Sequence, residues 1–193
     1  AIFIQKDNYA AKNNLANAHK NLFEFKEAET LYKEIIREDA KNIKALNNYA
    51  NLKREINQYQ QAKELLLKAV KLEPNNLYVL LNLAMCYQGM GEINDAKHYV
   101  MKILELDPNN ASAHKLMSTL IDYKKNEKHL KKMRKLKEDK IFEQFSKTQK
   151  TELLFALSKA YEDIKDFENS FNYFKQANLI QNESNNGEIE NIK

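Results

Sequence analysis

Residues Leu77–Asn110 read LYVLLNLAMCYQGMGEINDAKHYVMKILELDPNN. Apolar residues recur at three- and four-residue intervals on both sides of Gly89-Met90-Gly91, and the stretch closes on Asp107-Pro108-Asn109-Asn110. Such spacing predicts two amphipathic helices joined by a tight turn. Gly91 fits the turn, where a left-handed backbone costs glycine nothing. Pro108 stops the second helix, because proline lacks the amide hydrogen and restricts the residue before it.

The same pattern recurs on both sides of this stretch. At an offset of 34 residues Leu15, Tyr49, Leu83 and Met117 fall into one column, followed directly by Ala16, Ala50, Ala84 and Ser118. Further columns hold Ala28, Ala62 and Ala96; Phe25, Tyr59 and Ile93; Ala40, Pro74 and Pro108; and Asn42, Asn76 and Asn110. The small columns belong where two helices cross and their backbones must approach closely. Asn57 can share the turn role of Gly91, whereas Phe23 and Lys165 suit it less well.

A period of 34 with large, small, small and proline columns resembles the tetratricopeptide repeat. The resemblance implies an all-α fold, a right-handed superhelical solenoid of antiparallel helix pairs. The expected units are Tyr9–Asn42, Ile43–Asn76, Leu77–Asn110, Ala111–Lys150 and Thr151–Ser184. Residues 1–8 read as the end of a truncated preceding repeat, with an exposed apolar end at Ala1-Ile2-Phe3-Ile4. Residues 185–193 read as a cap or linker, with a helix starting after Ser184-Asn185-Asn186. The fourth unit is longer by six residues, since Leu157 follows Met117 by 40, and it places Leu130 in the small column. Looser or differently angled packing is expected there.

Composition agrees with an all-helical chain. Its 193 residues are 43% hydrophobic, enough for a core, with three glycines, two prolines and no tryptophan to punctuate long stretches rich in Leu, Ala, Lys, Glu and Asn. The lone Cys86 excludes an internal disulfide and favours a reducing, cytoplasmic setting, with a bacterial periplasm as the alternative. It also falls on the buried side of its helix, as a small core residue. No stretch approaches the roughly 20 apolar residues of a membrane-spanning helix. His19, His98, His114 and His129 lack the spacing of a zinc motif, and Gly89, Gly91 and Gly187 form no phosphate loop. No metal, no cofactor and no catalytic constellation are expected in this segment.

Function is therefore sought on the wall formed by the first helix of each pair, the concave face on which this family binds extended peptides or partner helices. Asn14, Asn48 and Asn82 repeat there at the superhelical interval, with Asn17 and Asn51 one turn on. A row of primary amides, each donor and acceptor, can pair with a peptide backbone without reading its side chains. Leu46-Asn47-Asn48-Tyr49-Ala50-Asn51-Leu52-Lys53-Arg54-Glu55 resembles the repeat region of the peptide O-linked N-acetylglucosamine transferases, which implies such a ladder. In the same columns an asparagine can instead satisfy the neighbouring helix. Lys20, Lys44 and Arg54 add cations for a carboxylate, but Tyr78 and Asn82 stand where the family's carboxylate clamp wants positive charge.

Charge is concentrated in one segment. Residues 124–140 hold nine Lys or Arg against three acids, within a chain of net charge +4. Leu130, Met133 and Leu136 keep one apolar face while Lys131, Lys132, Arg134, Lys135 and Lys137 cover the others, the pattern of a packed helix with a solvated basic surface, with an anionic or acidic protein partner as the alternative reading. No aromatics are interleaved to suggest nucleic acid. Finally, Leu153-Leu154-Phe155-Ala156-Leu157-Ser158-Lys159-Ala160-Tyr161-Glu162-Asp163, with Asp166-Phe167-Glu168 and Phe174-Lys175-Gln176-Ala177-Asn178, resembles the last repeat of bacterial tetratricopeptide-containing sulfotransferases. That implies an alternative, the non-catalytic arm of a larger transferase. The main expectation is a scaffold for a protein or peptide partner, without nucleic acid or membrane, in which exposed repeat ends also allow self-association.

The register makes a quantitative prediction. Ala62→Leu overpacks a helix crossing and lowers stability by about 1–3 kcal/mol in urea unfolding; an unchanged midpoint would contradict the assigned columns.

Overall fold

The computed structural model describes the backbone of residues 2–190 and the side chains of residues 8–183. Eleven helices and no strand are found among the described residues: α1 (Ile2–Asn21), α2 (Phe25–Glu38), α3 (Ile43–Glu55), α4 (Tyr59–Leu72), α5 (Leu77–Gly89), α6 (Ile93–Leu106), α7 (Ala111–Leu120), α8 (Glu127–Glu138), α9 (Ile141–Gln144), α10 (Lys147–Asp163) and α11 (Phe167–Glu190). The chain divides into two compact units, Ala1–Tyr99 and Val100–Lys193. No described helix is long and apolar enough to cross a membrane.

In the first unit, α1 pairs with α2 and α3 with α4, while α1, α3 and α5 stand side by side. The small columns lie where required: Ala16, Ala28, Ala50, Ala62, Ala84 and Ala96 are all fully buried. Around them pack two clusters, one of Tyr32, Tyr49 and Leu52, the other of Leu46, Leu66, Val79, Leu83 and Cys86. Burial pushes the Cys86 thiol up to about 11, so it stays protonated and donates to the Tyr59 carbonyl.

The asparagine column builds the entry to each new pair. The Oδ1 atoms of Asn42, Asn76 and Asn110 accept from the backbone amides of Ala45, Val79 and Ala113, at 3.0, 3.2 and 3.0 Å. Each thereby caps a helix whose first amides have no partner of their own. The Nδ2 atoms donate back to Asp39, Glu73 and Asp107, so an acid three residues earlier orients every cap. In α10, Ser146 does this work in a reciprocal capping box with Gln149.

The turns inside the first three pairs and the last share one conformation. Phe23, Asn57, Gly91 and Lys165 all have positive φ, between 60° and 76°. Phe23 and Lys165 thus adopt the left-handed backbone despite their side chains. Each is held by a backbone bond across the turn just after it, from Glu24 to His19 and from Asp166 to Tyr161, matching Gln58 to Lys53.

Three boundaries differ from expectation. Residues 2–8 run on into α1 with no break before Tyr9, so the helix crosses the expected start of the first unit; the side chains of Ala1–Ile4 lie outside the described residues. Helix α10 begins at Lys147, before the expected Thr151, since Ser146 caps it. Helix α11 runs through Glu190, so no new helix starts after Asn186, and residues 191–193 lie outside the described part.

In the second unit α7 is only 10 residues long and ends where Ile121 turns extended. Helix α8 lies against α10 and the short α9. Leu130, Met133 and Leu136 enter a core with Tyr123, Phe142, Leu153, Leu154 and Leu157. The leucine in the small column is accommodated because α8 leaves the pairing geometry of the earlier units, and α9 takes up the added length.

The turn geometry predicts a gain. Lys165→Gly removes the Cβ strain of the left-handed backbone and stabilises by about 1 kcal/mol, raising Tm by roughly 2–4 °C in a calorimetric scan. Gly91→Lys in the same assay falls.

Candidate functional site

Helices α1, α3 and α5 carry all nine residues singled out above. Asn14 and Lys44 are exposed, and Tyr78 is 79% exposed. Lys20 reaches Glu55 at 3.2 Å and ties α1 to α3. Asn17 accepts a 2.6 Å hydrogen bond from the Tyr32 hydroxyl. Asn48 Nδ2 donates to Asn13 at 3.5 Å, and Asn82 Nδ2 donates to Asn47 at 2.8 Å.

The row is therefore a set of cross-helix pairs, each joining an asparagine to the one that precedes the equivalent position in the previous repeat. Asn13 and Asn47 are the residues that column reading missed. Their signal was present, since they repeat at 34 residues and the column ends at Leu81. Each pair uses one amide proton of Asn48 or Asn82 and leaves a second donor and the carboxamide oxygen.

Asn51 and Arg54 differ from their neighbours. Asn51 Oδ1 and Arg54 Nε are buried without a hydrogen-bond partner. The repeat explains the first: Asn51 matches Asn17, but Leu66 replaces Tyr32, so the hydroxyl that would donate is missing. In the third repeat both columns are apolar, with Met85 and Val100.

An ionic cluster lies beside the wall. Glu29 receives Tyr49 at 2.7 Å, Lys33 at 2.7 Å and the buried Lys53 at 3.0 Å; Lys53 also donates to Gln58 and sits over the Tyr49 ring. Desolvation pushes the Glu29 carboxyl up, but the bonds from Lys33, Tyr49 and Lys53 together outweigh it and hold it at about 2. It is a fixed anion joining α2 to α3.

The second unit holds a chain of neutral donors. The Pro108 carbonyl can only accept, so His114 Nε2 carries the proton at 2.9 Å. His114 Nδ1 then accepts from His129 Nε2 at 2.9 Å, and His129 Nδ1 accepts from the Tyr123 hydroxyl at 2.6 Å. Burial, then His114 and Lys132, hold His129 down at about 3; burial also lowers His114, against the Pro108 carbonyl and Asp107. Both rings line an open cleft of about 400 Å³ with Leu104, Lys132, Lys135 and Ile141 among its walls. No group of three or more His, Cys, Asp or Glu able to hold a metal ion is found among the described residues. Sequence spacing did not signal this chain of bonds, because it joins α7 to a helix that leaves the repeat register.

Three tetratricopeptide repeat models match residues 10–37, 53–120 and 151–184. The chain is a tetratricopeptide repeat protein. No curated protein matches its sequence. Among solved structures, MamA superposes with a TM-score of 0.64 at 18% identity, covering 89% of this chain and 96% of MamA. TTC0263, a thermophilic repeat protein of Thermus thermophilus, gives 0.67 at 15% identity over 88% and 89% of the two chains. YrrB, described as a repeat protein with an unusual peptide-binding site, gives 0.59 at 17% over 88% and 84%. These likenesses establish the shared fold.

The histidine chain predicts acid sensitivity. An unfolded imidazole binds a proton near pH 6.5, whereas folded His129 resists until about 3. The contribution of the pair is thus complete above pH 6.5 and is lost as pH falls from there towards 3. Urea midpoints should decline across that window, while imidazole ¹³C shifts show His129 still neutral at pH 5.

Proposed function

We propose that this tetratricopeptide repeat protein is an interaction scaffold that holds an extended peptide segment of a partner along the first-helix wall of its first unit. The observation that carries the reading is the series of carboxamides there. Asn14 is exposed, and Asn48 and Asn82, fixed by their pairs with Asn13 and Asn47, each keep a donor and an acceptor one repeat apart. A peptide backbone offers the complementary groups in alternation, and pre-fixed side chains lose little entropy on binding. The exposed Tyr78 ring and Lys44 supply an apolar contact and a cation beside the row. The peptide-binding site described for YrrB, a protein of the same fold, supports the same class of ligand.

The role needs no chemistry from this chain: its one thiol is buried, and His114 and His129 are engaged with each other. The alternative, the arm of a larger transferase, rests on the sequence resemblance of residues 153–178 alone.

A peptide array probed with the chain tests the reading. Combining Lys44→Glu with Tyr78→Ala should abolish most wild-type spots, and Lys132→Glu with Lys135→Glu should retain them; equal losses would refute the assignment. Asn14→Ala separates binding from folding, since it breaks no pair. It should weaken binding with an unchanged melt, whereas Asn82→Ala orphans Asn47 and lowers both, by about 1 kcal/mol in stability.

A further inference from the structure

The fourth repeat breaks two rules that its neighbours keep. Leu46, Leu80 and Leu154 hold one column of α3, α5 and α10 at 1%, 0% and 1% exposure, and in α7 that place belongs to His114. A leucine fills such a position without partners, whereas a buried imidazole needs one for each ring nitrogen. The second exception supplies one of them. The column of His129 is Glu27, Gln61, Asp95 and Asn169 elsewhere, all exposed, and only α8 turns it onto the first helix of its pair, where it bonds to His114. Both departures meet at one cleft, which lies wholly within the second unit. Packing alone asks for neither, and departures of that kind mark functional sites.

The cleft has two kinds of wall. Leu104, Leu136 and Ile141 give it apolar sides, and the two imidazoles add flat ring surface, with centroids 5.1 Å apart and planes 32° to each other. Burial keeps these rings neutral, and every ring nitrogen is already engaged with Pro108, Tyr123 or the other ring. The rings therefore offer a ligand contact surface and no further hydrogen bond. Charge comes from Lys132 and Lys135, which line the cleft and are exposed. Along the same helix Lys131 pairs with Glu127 and Lys137 lies over the Phe142 ring, but neither Lys132 nor Lys135 pairs with an acid among the described residues. Asp139, at the edge of the cleft, already accepts from the Ile141 amide at 3.0 Å.

Two unneutralised ammonium groups above apolar and aromatic walls suit a ligand that is charged at one end only. A bare hydrated anion would leave the walls unused. The volume of about 400 Å³ falls in the range of small-molecule sites, which pair apolar walls with a few polar groups. We propose that this cleft binds a small carboxylate with an apolar body of one or two rings. Its carboxylate lies between Lys132 and Lys135, and its body rests on Leu104, Ile141 and the imidazole pair. The site is separate from the first-helix wall of the first unit and asks nothing of it.

Titration of the whole chain with 2-naphthoate tests this, with 2-naphthamide as the uncharged counterpart and acetate as the charge without the body. Nuclear magnetic resonance should show saturable shifts of the His114 and His129 ring signals and of the Lys132 and Ile141 amides. Lys132→Ala with Lys135→Ala should weaken 2-naphthoate by roughly tenfold with an unchanged thermal melt, and 2-naphthamide and acetate should each bind the wild type weaker by a similar factor. Lys128→Ala with Lys131→Ala removes the same charge from α8 outside the cleft and should leave the affinity within about twofold. Absence of saturable shifts at the two histidines, equal losses in the two lysine variants, or acetate or 2-naphthamide matching 2-naphthoate would overturn the proposal.

Discussion

Close backbone approach at the small columns is the constraint on which the remaining structure depends. Where Ala16, Ala28, Ala50, Ala62, Ala84 and Ala96 are buried without residual exposure, helices meet at a fixed separation and the next pair must arrive in the same register. Larger residues then find repeating places: Tyr32 beside Tyr49, and Leu66 among Val79, Leu83 and Cys86. Where leucine replaces alanine at Leu130, that register is released. Helix α8 settles against α10, and the His114–His129–Tyr123 chain and its cleft form in the resulting space. The most unusual polar chemistry of the molecule is thus a product of the one place where the spacing rule is relaxed.

Much of this could be read from the residues before any coordinates, and the exceptions share a cause. Alternation of small and large columns is a direct imprint of packing, so the helix pairs were legible. The Asn42, Asn76 and Asn110 column was legible as a feature but not as a job. Its role as a helix cap depends on the acid three residues earlier, and that acid changes between Asp and Glu. Phe23 and Lys165 are poor left-handed residues by propensity, yet the pairs on either side impose the turn. Tertiary packing overrides local preference there. The candidate residues lie on α1, α3 and α5, and the pairing partners of Asn48 and Asn82, Asn13 and Asn47, sit one residue to the side of the column, where identical columns alone do not reach.

Asparagine serves two distinct ends in this chain. At the start of helices it replaces a missing backbone acceptor, and the acid behind it removes its freedom to do otherwise. On the first-helix wall it joins neighbouring repeats side chain to side chain, a link that tolerates small changes in helix separation better than close packing does. The Glu29 cluster has a similar effect on the other side of α3, with a carboxylate that receives three donors from two helices. Polar contacts thus lock a register that the alanines select.

The pair formed by Asn17 and Tyr32, the unpartnered Asn51 facing a leucine column, and the wholly apolar Met85 and Val100 columns can be viewed as three states of one site within a single molecule. Moving between the first and the last requires two substitutions, and either one made alone leaves a buried polar group without a partner. The second repeat occupies that intermediate. Effects of substitution at these columns are therefore epistatic: an apolar residue that is welcome at 51 would be harmful at 17, and the fitness of each depends on which member of the pair changed first.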